Sequence, residues 1–142
     1  MVEEIVDNGE LLAIIVRNDF DKQGISFFTR DEQSQQLGFM RHPTGTIIRP
    51  HIHNPVSREI QYTQEVLFIK SGKLRVDFYN TEQQYLYSRI LGAGDVVLLA
   101  TGGHGFEVLE EIRMIEVKQG PYAGEADKTR FDSNPGPSLK II

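Results

Sequence analysis

The chain contains no cysteine. Disulfides and thiolate metal centres are therefore excluded, and any bound ion must be held by imidazole nitrogen and carboxylate oxygen. No uninterrupted apolar run approaches the roughly 18 residues of a membrane-spanning helix. The acidic stretch Met1 to Asp7 lacks the basic region and apolar core of a signal peptide, so a cytoplasmic protein with no membrane partner is expected. Basic clusters are missing as well, and the formal net charge is −5. Phosphate backbones are gripped by a basic stripe, so no nucleic-acid partner is expected. Convincing amphipathic helical periodicity is also lacking, which points away from helical bundles and from α/β folds.

What is there is ordinary for a folded protein: 39% hydrophobic and 25% charged residues in a chain of 142. That length suits one domain burying about two-thirds of its unfolded surface. Short β-branched and aromatic runs recur between Gly, Asp, Asn and Pro turn signals, the pattern of an all-β sandwich or barrel. Strands are expected at 11–17, 25–30, 36–41, 46–53, 66–70, 74–79, 85–91, 96–100, 105–109 and 113–118, with a barrel core spanning about 36–118 of a single domain, 1–142. Ser71-Gly72-Lys73 reads as a hairpin turn between 66–70 and 74–79. Leu74, Val76 and Phe78 alternate with Arg75, Asp77 and Tyr79, predicting one buried and one polar face. Val96 to Leu99, continuously apolar, predicts burial on both faces. Gly120 to Pro137 turns to Gly, Pro, Asp and Ser, an irregular tail with Phe131 as its main apolar anchor, either covering a pocket mouth or partly disordered.

His51 and His53 stand two residues apart on an expected strand, which would turn both rings to one face. Glu65 opens the next apolar strand, and His104 lies in the turn after 96–100. Three imidazoles and one carboxylate suit one divalent ion, Fe, Mn, Ni, Zn or Cu, with positions left for water or substrate. The alternative is that these are surface histidines, a solvated carboxylate and a turn residue. Arg49 shares strand parity with the two histidines and is a candidate for gripping an anionic group, unless Pro50 breaks the alternation. Arg41 and Tyr62 are further substrate-binding candidates, and His42 is a candidate acid or base or else a turn residue.

These residues resemble the cupin family. Its first motif is a glycine, five residues, His-x-His, a spacer, Glu, six residues and a glycine, matched by Gly45, His51, His53, Glu65 and Gly72. Its second begins Gly-Asp, passes through an apolar strand and ends at a His, matched by Gly94-Asp95, Val96 to Leu99 and His104-Gly105-Phe106. The chain departs from the pattern in two places. Eleven residues separate His53 from Glu65, making 54–64 an extra loop in which Glu59 competes as the carboxylate, and Ala100-Thr101 replace the second motif's proline.

The resemblance implies a cupin-type antiparallel β-barrel, a jelly-roll-like double-stranded β-helix. It also implies a metalloenzyme, an isomerase, epimerase or dioxygenase, acting on a small polar or anionic metabolite such as a sugar or sugar acid. Two alternatives stay open: a non-catalytic sugar-binding or sensor module, and a metal-free sugar-nucleotide isomerase or epimerase. Apolar positions Ile48, Ile52 and Leu11 to Val16 either favour a homodimer through strand edges or sheet faces, or lie inside a two-sheet core.

Overall fold

The β-branched runs do become strands, and among the described residues the only helical turns are two 3-10 segments, Gly124–Asp127 and Gly136–Ser138. The computed structural model describes residues 1–132 and 135–142, so two positions of the expected tail lie outside the described residues. In chain order the strands are β1 (Val2–Asp7), β2 (Glu10–Val16), β3 (Gly24–Phe27), β4 (Gly38–Arg41), β5 (Glu65–Tyr79), β6 (Tyr85–Leu91), β7 (Val96–Leu99) and β8 (Gly103–Lys118). Backbone contacts divide the chain into two compact units, 1–20 with 62–142, and 21–61.

The larger unit is one strongly curled antiparallel sheet, a half-barrel, ordered β1-β2-β7-β5-β6 with β8 also paired to β5. β5 organises it. Along one side it pairs with β8 from Glu65↔Lys118 to Tyr79↔Gly103. Along the other, its first half pairs with β7 and its second half with β6. Between the halves the β5/β8 register slips around Ser71 and Lys73. Gly72 sits there at φ +95°, and a Cβ on it would lie 2.0 Å from the Glu111 carbonyl oxygen. Bulges bend a strand and increase its twist, and only glycine fits this one.

The core fills the curl: Ile5, Leu12, Ile15, Leu67, Ile69, Leu74, Val76, Phe78, Leu91, Val97 and Leu99 pack as one cluster. β2 is buried along 11–16, so its apolar residues are interior rather than a greasy exterior, and Val97 to Leu99 are buried as their continuous apolarity predicts.

Charged groups brace the sheet. Asp95 in the turn between β6 and β7 accepts from the backbone N–H of Gly92 and of Asn18, each at 2.8 Å, and pairs with Arg17 at 3.1 Å. Arg17 also donates to the Ile90 carbonyl at 2.7 Å, and Glu3 bridges Arg17 and Arg89. Four segments are tied at one turn.

Several expectations are corrected. Ser71-Gly72-Lys73 does not turn the chain back, because both flanking runs continue on the same β8 ladder; it is a bulge, not a hairpin. The runs 105–109 and 113–118 are likewise one strand. The second face of 74–79 is not solvated, for Asp77 is 5% exposed and Arg75 clamps it with bonds of 2.9 and 3.0 Å. Ser88, fully buried, also donates to Asp77, so the buried charges are paired and satisfied. The unanticipated β1 joins β2 through Asn8-Gly9, both at positive φ, a two-residue hairpin turn whose sequence signal went unused.

The smaller unit is the antiparallel ribbon of β3 and β4, followed by irregular chain. No residue from 21 to 61 is buried, consistent with a two-stranded ribbon being too small for a core. The strand expected at 46–53 is absent: Pro50 removes a ladder donor, and the segment makes no regular pairing.

If the Gly72 bulge sets the bend, Gly72→Ala should lower stability by roughly 2 kcal/mol or more, from a strained positive φ together with a backbone clash. Urea unfolding reads it; an unchanged midpoint would show that the bend does not need this glycine.

Candidate functional site

Glu65 and His104 occupy opposite ends of the β5/β8 ladder. Glu65 faces Lys118 at one end, whereas His104 faces Phe78, thirteen residues further along β5, at the other. A straight strand of that length spans roughly 40 Å. The curl closes this distance, and His104 Nε2 donates to Glu65 Oε1 at 3.1 Å.

The pair borders a pocket of about 740 Å³ in the larger unit, walled by strand ends, by Tyr79 and Thr101, and by residues 127–132 of the tail. Its charges are mixed, with Lys118 and Lys128 beside Glu65 and Asp127. The hydrogen bond from His104 holds the Glu65 carboxyl down at about 2, against partial burial, which works the other way. Glu116, opposite Leu67 and so on the same face as Glu65, is hydrogen-bonded to it and pushed above its ordinary 4.5 by that contact and by burial. Two carboxyls and an imidazole thus share one corner, with Glu65 the more acidic of the two carboxyls.

His51 and His53 lie in the smaller unit, exposed and on irregular chain, so their nearness does not come from strand parity. Their rings are nevertheless 5.3 Å apart, edge to face. His51 Nδ1 lies 3.0 Å from the Arg49 carbonyl oxygen. A carbonyl can only accept, so Nδ1 donates in this bond and Nε2 is the ring nitrogen left free of it. That is how a backbone carbonyl fixes the tautomer of a metal-binding histidine. Taken separately, the ionised Glu65 carboxylate paired with His104 in the larger unit and the two adjoining rings of His51 and His53 in the smaller are donor types that a divalent ion takes. Among the described residues, no group of three or more His, Asp or Glu side chains stands where it could hold a metal ion.

The remaining candidates divide between the units. Tyr62 lines the pocket. Arg41 ends β4 and pairs with Asp21 at 2.8 Å on the surface. His42 follows it, exposed, and Glu59 is exposed in the long loop. Arg49 is exposed too, and its expected inward direction falls with the missing strand. Sequence reasoning missed Glu116 as the neighbour of Glu65, since only the β5/β8 register reveals that they share a face.

Because the folded-state pKa of Glu65 is depressed, its stabilising contribution is complete above its ordinary 4.5 and is lost as pH falls toward 2. Glu65→Gln should lower the melting temperature near neutrality and flatten the melting curve's dependence on pH over that window. An undiminished acid limb would show that the His104 bond does not hold this carboxylate.

Comparison of the chain with family models, with curated proteins and with solved structures finds no match.

Proposed function

We propose that the protein is a small metal-binding cupin whose curled sheet belongs to a cupin-type barrel. In this reading one divalent ion is held by His51, His53, Glu65 and His104, and the substrate is a small polar or anionic metabolite of the sugar or sugar-acid class. The observation that carries the reading is the meeting of Glu65 and His104 at a pocket, from opposite ends of one ladder. Two of the four side chains that match the cupin motifs come together, and the carboxylate among them stays charged.

Once bound, such an ion supplies Lewis acidity toward a substrate oxygen or lowers the pKa of a water. The chain's own groups have separate tasks. Lys118 and Lys128 offer ammonium groups to an anionic substituent, and Tyr62 offers a phenol at the rim. Glu116, hydrogen-bonded to Glu65, helps to hold that carboxylate in place.

A second reading is favoured by the same contact. An imidazole held by a carboxylate is already a general base, so His104 oriented by Glu65 can move a proton without an ion, as a metal-free sugar-nucleotide isomerase or epimerase requires.

Metal analysis of untagged protein should find one divalent ion per chain. Calorimetric titration of metal-stripped protein with Mn, Fe, Ni, Zn and Cu salts should show tight binding to the wild type. His51→Ala and His104→Ala should each weaken it by more than about tenfold, the loss seen even for groups one step removed from a metal. Equal affinity in both variants, or no stoichiometric ion, would remove the metal reading. Solvent deuterium exchange into sugar nucleotides that survives chelation, and is lost in His104→Gln, would instead support the second.

We also propose a homodimer through the outer sheet face. The cross-strand pairs Val66↔Val117 and Phe68↔Ile115 form an apolar patch there, with Phe68, Ile115 and Val117 exposed. Light scattering should give twice the chain mass for the wild type and one chain mass for Phe68→Ser with Ile115→Ser; a monomeric wild type refutes it.

A further inference from the structure

We propose that residues 127–132 form a strap that opens and closes over the Glu65–His104 pocket, latched by Phe131 and tethered farther along the chain by Lys140 to Ile142 on β6. The proposal rests on that pocket being a ligand site.

The strap supplies one wall of the pocket, yet little holds it there. Thr63 donates to the Asp127 carboxylate, Lys128 attracts Glu116, and among the described residues Arg130 pairs with Glu125, on the same stretch of chain. None of residues 124–132 is buried. Among the described residues its ring contact is Phe131, which stands edge-on against Tyr79 with centroids 5.1 Å apart and planes at 87°. Its seat exists because residue 103 is glycine: a Cβ there would lie 2.9 Å from Phe131 Cζ and 3.2 Å from Tyr79 Cβ. His104 follows that glycine directly, so the latch closes against the backbone that carries the pocket imidazole.

The tether is of another kind. Ser88 N–H donates to the Lys140 carbonyl at 2.6 Å, and Lys140 N–H donates to the Tyr85 hydroxyl at 2.9 Å. That hydroxyl is bonded to Ser88 Oγ at 2.7 Å, which in turn donates to the buried Asp77 clamped by Arg75. The tether thus ends in the core, whereas the latch rests on the Phe131 ring against Tyr79. Segments with few buried apolar contacts open locally at low cost, so the strap lifts at Phe131 while its far end stays attached.

The test uses the full chain and needs neither ion nor substrate, so it can fail independently of the functional reading. Diethyl pyrocarbonate acylates accessible imidazoles, and peptide mapping gives a rate for each histidine, with His42, His51 and His53 as references. Phe131→Ala should speed acylation of His104 by about threefold or more, with the three references unchanged. Gly103→Ala, which fills the seat, should do the same. Melting curves confirm that both variants are folded. As a second measurement, Phe131→Trp places the only tryptophan in the chain at the latch, and its emission should shift to the red when Tyr85→Phe loosens the tether. An unchanged His104 rate in both folded variants would overturn the strap, and so would a uniform rise at all four histidines, which marks general loosening.

Discussion

The bend in β5 is the constraint on which the rest of the larger unit depends. A strand that pairs with β8 along its whole length, with β7 over one half and with β6 over the other, cannot be straight. The bulge at Gly72 absorbs the change of direction, the sheet curls, and the apolar inner faces of both halves meet as one core. The contact between Glu65 and His104 is a product of the same bend. Neither residue is brought to the other by a neighbour in sequence or by a direct cross-strand pairing.

Much of the strand content was legible because it depends on local pattern. The run 85–91 is β6 to the residue, and Val97 to Leu99 are buried as their composition implies. Connectivity was less legible. A glycine between two apolar runs signals a turn or a bulge equally well, and only the common partner β8 decides for the bulge at Gly72. Asp77 reads as a solvent-facing residue by alternation, but Arg75 two residues along β5 and Ser88 across on β6 make its burial tolerable, and neither partnership is expressed by hydrophobic periodicity. The site shows the same division. Glu65 and His104 were identifiable by residue type and spacing, whereas Glu116 was not, since its relation to Glu65 is a matter of register. Strand parity for His51 and His53 failed because proline within a short run outweighs β-branched neighbours.

The Gly94-Asp95 pair, which opens the second motif, has a structural task of its own. Asp95 fastens the turn between β6 and β7 to the end of β2 by two backbone hydrogen bonds and an arginine. A side chain on Gly94 would meet Asn18 Oδ1 at 2.0 Å. This turn leads into β7, which pairs with the first half of β5 and so steadies the strand end that carries Glu65.

Since the two halves of the site ride on the tips of one bent ladder, the molecule works as a caliper. Each arm is on the order of 20 Å long, so a change of about five degrees at the hinge moves a tip by roughly 2 Å. That is enough to exchange a hydrogen bond for a gap. Substitutions that alter curvature far from the jaws will therefore register between them.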